Sequence, residues 1–559
     1  MHFITKLYQI KDERTVMSNK KLLSAAMGNC VHVAGIAHFS QIAEQEGFDC
    51  IFLGPAVPID NILKAVVDNK PNMVAISYRL TPNVAQSLLN EFVAKAKQLP
   101  DCESIKWLFG GISPNARIAE EFDFFDYISY GTDDMGDVIS YLRGMDKNSG
   151  GVFYPQNIIE RIENKYPYPL LRHHYGEPSL DKTLEGIKQI AEAKCLDIIS
   201  IGPDQNTQQF FFQQEKISST LDGAGGVPLR TVEDFISLKK ASQFGNLPLM
   251  RCYSGTEEVE RFAELLVDTI NNAWCAVPLC WYNELDGRGT RTLEVSIKEA
   301  QELMKWHSLR NIPIEVNEPH HWGLRDAPDV ISVVMAYISA YNAKKAGVSH
   351  YIAQYMFNVP NGISFSVDLA KNLAMVELVE SLEDAAFKTY RQVRAGLPFL
   401  SADLELAKGQ LASSTYLSMA LKPHIIHVVG YCEAEQIATP QVVIESSKIV
   451  KGVIKSILLD QPDATQEPKI MKRKAELLAE AKYTLDYILN SFSDLDDPLA
   501  NPYVLSESIK RGVLDAPHIL KTDMFKGNIY TTIVDGRCVA FDKVNKTELS
   551  EAERIARLK

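Results

Sequence analysis

From about residue 20 to residue 145, short apolar runs alternate with stretches of helical period. KLLSAAM (21–27) precedes an amphipathic segment ending near Gly47, and DCIFLG, NILKAVVDN, MVAISY, a helix reaching Leu99 and IKWLFGG follow. That order reads as βαβαβα and predicts a doubly wound parallel sheet, whose ligand crevice lies beyond the carboxyl ends of the strands. The functional loops are expected after Met27, Ile76 and Phe109. Residues 146–169, with GG, YP and PYP, read as a linker. Beyond it, six apolar runs recur with helices between them: LDIISIG, LPLMRCYSG, AWCAVPLCWYN, IPIEVNE, SHYIAQYMF and HIIHVVGYCEA. This rhythm over 170–467 predicts a (β/α)8 barrel of the TIM type, with Arg172 at the end of a further first strand. Residues 468–559 begin with a charged helix, KIMKRKAELLAEAKYTLDYILNSF, and end in a small, partly β piece.

At 559 residues the chain exceeds one hydrophobic core, in keeping with several domains. The formal charge of −13, without a basic stripe, repels a phosphate backbone and argues against a nucleic-acid partner. No apolar run is long enough to cross a bilayer, and the start, MHFITKLYQIKDERTV, lacks the apolar core of a signal peptide, so a cytoplasmic protein without a membrane partner is expected. Nine cysteines, scattered from Cys30 to Cys538 without a CxxC pair, suit buried small hydrophobes better than a disulfide framework or a zinc site.

In a (β/α)8 barrel the residues just after each strand face the active site. Here those positions carry Asp204, Gln205, Asn206, Arg251, Asn283, Glu284, Glu318, His320, His321, Asn358 and Glu433. Imidazole titrates near neutrality, which makes His320 and His321 acid–base candidates. Gly223, Gly225 and Gly226 in DGAGGVP have the look of a phosphate cradle, although a tight loop serving the barrel explains them better.

Three loops of the N-terminal region carry Cys30-Val31-His32-Val33-Ala34-Gly35, Ser77-Tyr78-Arg79-Leu80-Thr81 and Gly110-Gly111. They resemble the DxHxxG, SxL and GG signatures of B12-binding domains, implying a flavodoxin-like cobalamin-binding domain over residues 1–145. The resemblance makes His32 the ligand to cobalt, Ser77 a hydrogen-bonding partner of the cofactor's nucleotide tail, and Gly35, Leu80, Thr81, Gly110 and Gly111 its surroundings. Cys30 stands where the family has the Asp that orients the imidazole, and Arg79 takes the place of the Leu in SxL. The competing reading is a flavodoxin-like domain without its cofactor.

From about Leu170 onward the chain resembles the large, barrel-forming subunit of glutamate mutase, through LDIISIGPDQNTQQ, DGAGGVPLRTVEDF, VSIKEAQELMKWHSLRNIPIEVNEPHHWG, RGVLDAPH and GRCVAFD. The resemblance implies an adenosylcobalamin-dependent carbon-skeleton mutase, a radical isomerase, with a homodimer formed through the barrel. Arg172 matches a substrate-carboxylate arginine, and Arg251 serves the same purpose after a small shift. The family's catalytic glutamate and two tyrosines fall in WYNELDGRGTR, where Glu284 takes the role of the base and Arg288 and Arg291 replace tyrosines; His320 joins this catalytic set. The lysine and glutamate that grip the adenosyl ribose align with Gln354 and Asn358. These departures point to a small carboxylate or amino acid other than glutamate. The alternatives are a corrinoid methyltransferase, using methylcobalamin, and a non-catalytic cobalamin-binding protein.

Overall fold

A computed structural model describes residues 20–131, 133, 135–144, 154–253, 255, 257–459, 461–520, 522, 524–525 and 527–558. The N-terminal stretch and residues 145–153 lie outside these. The chain divides into two compact units, Met1–Phe153 and Tyr154–Lys559.

The first unit is built on five parallel strands, β1 (Lys21–Ala26), β2 (Asp49–Phe52), β3 (Met73–Tyr78), β4 (Lys106–Gly111) and β5 (Tyr127–Ser129), in the order β2-β1-β3-β4-β5. The alternation of helices and strands forces this arrangement, because a parallel strand pair needs a crossover and the crossover helices then cover the sheet. β1 and β3 are almost wholly buried, as expected of central strands, and Leu23, Ala25, Val74, Ile76 and Phe92 belong to one apolar core. The strand order reverses at β1 and β3, which puts a crevice past their carboxyl ends.

The second unit is an eight-stranded parallel barrel. Its strands are β6 (Leu170–Tyr175), β7 (Ile198–Ile201), β8 (Leu249–Cys252), β9 (Cys275–Val277), β10 (Ile314–Val316), β11 (His350–Phe357), β12 (Lys388–Ala395) and β13 (Ile425–His427). β13 pairs with β6, and a bridge between Tyr253 and Ala276 joins β8 to β9 and closes the circle. The two strands absent from the six-run pattern are LLRHHY and KTYRQVRA. Both point polar side chains into the barrel, so their hydrophobic signal is broken where the interior is polar.

Part of the segment read as a linker belongs to the barrel. Helix Ile158–Lys165, capped by Asn157, packs Ile158 and Ile162 beneath a floor formed by Leu170, Ile198, Leu249, Trp274, Ile352, Tyr390 and Ile425. Arg161, almost fully buried, fixes the helix by donating to the carbonyls of Leu247 (2.9 Å) and Asn246 (2.6 Å). The C-terminal residues form helices Pro468–Ser491 and Pro502–Lys510 and a small antiparallel sheet of β14 (Thr531–Val534), β15 (Arg537–Asp542) and β16 (Thr547–Glu548). This sheet docks on the barrel where Cys538 N donates to Asp329 Oδ2 at 3.1 Å. No helix among the described residues is long and apolar enough to cross a membrane.

Candidate functional site

In the first unit, the loops after β1 and β3 flank the crevice. Cys30 is wholly buried and its Sγ accepts from the Arg79 backbone N–H at 3.3 Å, so the thiol ties one loop to the other. His32, on the same loop, is exposed and has no partner among the described residues; neighbouring Val31 is 62% exposed. Ser77, near the end of β3, is buried with no hydrogen-bond partner for Oγ. Its partner in register across the sheet is Gly110 on β4, where an added Cβ would meet nothing nearer than Ser77 Cβ, at 3.9 Å. Gly35 likewise borders open space, in helix Ala34–Gln45.

Gly111 differs. A Cβ there would lie 2.9 Å from Phe109 Cε1 and 3.1 Å from the Tyr78 carbonyl, so packing alone requires glycine. Leu80 packs partly on the core, and Thr81 begins helix Pro82–Ala96 without a side-chain cap. A buried unpaired hydroxyl beside an unfilled glycine position, with a free imidazole on the adjacent loop, suits a corrinoid with its nucleotide tail. The aspartate–histidine pairing of the signature is absent, since the buried Cys30 thiol is occupied by Arg79.

In the barrel, side chains alternate inward along each strand, and above the apolar floor the inward positions turn polar. Glu315 on β10 lies at the centre. Its Oε2 is 3.3 Å from Arg172 Nη1 and 3.4 Å from Arg251 Nη2, and it accepts from Trp274 Nε1 at 2.7 Å. Arg172 also donates to Gln392 Oε1 at 2.7 Å and meets His174 Nε2 at 2.9 Å. Gln392 donates to Gln354 at 3.2 Å, and Gln354 meets His320 Nδ1 at 2.9 Å. Arg251 is fully buried, yet its Nε and Nη1 have no hydrogen-bond partner, nor has Arg172 Nε. Burial, with Arg251 next in importance, pushes Arg172 down to about 9. Burial and then the neighbouring arginines hold His174 and His427 well below the usual histidine range; burial and then Arg394 push His320 to about 3. These imidazoles are therefore neutral at pH 7 and serve as dipoles rather than charges.

Of the residues expected at the site, Arg172, Arg251, His320 and Gln354 come together in this network. Four others are placed differently. Glu284 Oε1 accepts from the Leu293 backbone N–H at 2.8 Å and caps helix Leu293–Ser308, so it is a cap and not a free base. Arg291 is bound to Glu299 and to the Tyr282 carbonyl. Arg288 is 44% exposed, pairs with Asp286 at 2.9 Å and stacks on Tyr282. Asn358 Oδ1 accepts from Ser414 Oγ at 2.6 Å, while its backbone N–H is held by Asp368. In each case a short-range partner within the same fold satisfies the group.

Further strand-end residues also have structural partners. His321 packs against Trp281 and His320, and Asn206 bridges Ser218 and Asp222. Asp204 accepts from Thr207, Gly223 and Arg230, and Gly226 lies so close to the Gly202 carbonyl that a Cβ would fall 1.9 Å from it. DGAGGVP is thus a closely packed loop. Glu315, Gln392 and Arg394 were missed as site residues. Their only sequence signal was polar alternation within IPIEVNE and KTYRQVRA, which marks an inward polar face only once the strands are known to line a barrel.

Compared with known proteins, residues 20–138 match the B12 binding domain family. No curated protein matches the chain. Among solved structures, it is similar to a cobalamin-binding protein from Desulfitobacterium hafniense, at 27% identity over 20% of this chain and 52% of that one, with a TM-score of 0.19. It therefore spans about half the length of that protein. A type I 3-dehydroquinate dehydratase from Clostridium difficile matches at 13% identity over 52% and 93%, with a TM-score of 0.23. A cobalamin-dependent S-adenosylmethionine radical enzyme, OxsB, matches at 12% identity over 87% and 70%, with a TM-score of 0.17.

Proposed function

We propose that this chain, whose N-terminal unit is a B12-binding domain, is a cobalamin-dependent enzyme that rearranges the carbon skeleton of a small carboxylate held in the barrel. The observation that carries this reading is the buried Arg251, whose Nε and Nη1 are unsatisfied inside the polar layer. A buried guanidinium with two of its nitrogens unpaired is costly, and substrate carboxylate oxygens that accept from them remove that cost. Arg172 is the second grip, oriented by Gln392 and Glu315. The neutral His174 and His320 line the same layer and add dipoles without competing for the anion. The floor of Leu170, Ile198, Leu249 and Ile425 excludes water from below.

In the N-terminal unit, His32 would supply the imidazole ligand, and Ser77 and Gly110 would accommodate the nucleotide tail. Cobalamin, when bound, supplies a homolysable cobalt–carbon bond. Methyl transfer is the second reading, favoured by one observation: Gln354 and Asn358 are both engaged by protein partners and offer no charge to an adenosyl ribose.

Absorption spectra of the full chain with adenosylcobalamin, wild type against His32→Ala, test cofactor ligation. Tritium transfer between the 5′ carbon of the cofactor and a pool of small carboxylates tests the chemistry. Binding with a His32-dependent spectrum, together with tritium transfer, is expected. No binding overturns the cobalamin role. Binding without tritium transfer, but with methyl turnover from methylcobalamin, replaces the mutase reading with the methyltransferase one.

A further inference from the structure

Arg172, Arg251, Glu315, Gln354, Gln392 and His427 are all buried, and the apolar floor closes the barrel from below. A substrate therefore reaches the polar layer only when loops at the carboxyl ends of the strands move aside. Three successive loops there are held by the C-terminal piece. On the loop after β9, the Leu285 carbonyl accepts from Leu520 N at 3.0 Å. At the end of the loop after β11, Ser364 N donates to the carbonyl of Gly536, in the turn between β14 and β15, at 3.0 Å. A Cβ on Gly536 would fall 2.5 Å from Ser364 Cβ, so this turn seats only as glycine.

The loop after β10 is held most closely. It carries the short helix Pro319–Gly323, with His320, His321 and Trp322, and then Arg325, whose guanidinium lies 3.8 Å from the Trp281 ring centroid. It turns at Asp326, whose φ of +57° is left-handed. That conformation is strained for a residue with a Cβ and persists only where neighbours over-determine it. Three such contacts come from the C-terminal piece. Thr531 Oγ1 on β14 donates to the Asp326 carbonyl at 2.8 Å, the Cys538 thiol on β15 donates to the same carbonyl at 3.7 Å, and His518 Nε2 lies 3.2 Å from Asp326 Oδ2. Cys538 N adds the bond to Asp329, where the next helix begins. The His518 and Asp326 side chains are 66% and 48% exposed, so their pairing is screened by water and readily parted. The strain at Asp326 relaxes when these contacts part, which favours opening at this point rather than elsewhere.

We propose that the β14–β15 hairpin is a clasp that keeps the mouth of the barrel shut through Asp326, and that its release opens the polar layer to a substrate. The clasp belongs to the empty barrel and does not depend on which reaction the barrel performs. Hydrogen exchange of the indole N–H groups of the 15N-tryptophan-labelled full chain, followed by NMR in D2O, tests it without a ligand. Trp322 sits on the clasped loop, and Trp274 donates to Glu315 inside the layer; both are wholly buried. The double variant Thr531→Val/His518→Ala removes two of the three contacts on Asp326 from the C-terminal side and leaves the barrel untouched. It is expected to speed exchange of both indoles at least about tenfold, as the loss of one hydrogen bond and one surface pair implies. Thr531→Ser, which keeps the hydroxyl, should exchange at the wild-type rate. In low urea the Trp274 rate should hardly change, because opening the mouth exposes little surface. Trp274 exchange unchanged in the double variant overturns the proposal even if Trp322 exchanges faster, since the layer then stays sealed when the loop is loosened. A Trp274 rate that climbs with urea as steeply as global unfolding overturns it as well, because the layer then opens only when the barrel unfolds.

Discussion

Replacing Glu315 with glutamine tests whether the polar layer is an electrostatic unit. The side chains are nearly isosteric, and glutamine still offers an oxygen to Trp274 Nε1, now 2.7 Å away, so what is removed is mainly charge. That charge is the only carboxylate within 4 Å of Arg172 and Arg251 among the described residues, and all three side chains are at most 1% exposed. Removing one partner of a fully buried ion pair costs about 3–5 kcal/mol, because the remaining charge stays desolvated and unpaired. Two arginines lose their counter-ion here, so the upper end of that range is expected for the unligated protein. Urea unfolding followed by tryptophan fluorescence reads the barrel selectively, since Trp274, Trp281, Trp306 and Trp322 lie in the second unit and only Trp107 in the first. Burial alone would raise the Glu315 carboxyl, but Arg251 and Arg172 outweigh it and hold it below the usual carboxylate range. Its contribution is therefore fully present above the unfolded value and lost as pH falls through the lower folded one; Glu315→Gln should flatten that acid limb. A loss below about 1 kcal/mol at pH 7, typical of a solvent-exposed pair, would refute the idea of an unscreened buried cluster.

Two neighbouring glycines should respond oppositely to alanine. Gly110→Ala has room for its methyl group and should leave the first unit folded while weakening cobalamin binding, measured by spectral titration; Gly111→Ala forces contacts at 2.9 and 3.1 Å and should lower the thermal midpoint of that unit even without cobalamin. Glu318 is fully buried, and burial raises its carboxyl to about 7 despite hydrogen bonds from Cys280 N and Trp322. The folded state then holds a proton that the unfolded chain releases near pH 4–5, so stability falls by about 3 kcal/mol as pH rises to 7. Glu318→Gln should remove that slope in a pH series of urea unfolding curves, and an unchanged slope would assign it to another group. Arg161→Ala deletes the carbonyl contacts to Pro155, Asn246 and Leu247 that hold the barrel's floor helix and should cost about 2–3 kcal/mol, read by the same fluorescence assay.

The B12-binding domain of the first unit was legible in one dimension. Cys30, His32, Ser77, Gly110 and Gly111 sit close to strand ends, and a parallel sheet brings consecutive strand ends to one edge whatever the packing details. The barrel was legible as a rhythm, but the partners of its polar strand-end residues were not. Glu284, Arg288, Arg291 and Asn358 are chemically suitable residues whose partners, Leu293 N, Asp286, Glu299 and Ser414, are visible only in three dimensions.

The sequence by itself determined the two α/β folds, a parallel sheet and a barrel, because hydrophobic period and turn residues are local signals that act before any long-range contact forms. It also determined the small-residue signature beside the β1–β3 crevice. Only the tertiary structure decided which polar groups are spent and which are left over. Glu315, Arg172 and Arg251 are separated by 143 and 64 residues along the chain, yet share one oxygen. The demand for partners arises from closing eight strands into a ring, which removes water from Arg172, Arg251 and Glu315 at once. A charge that is unremarkable on a surface becomes a demand for a partner when it is desolvated, and no local pattern encodes which side chains a closed barrel will desolvate together.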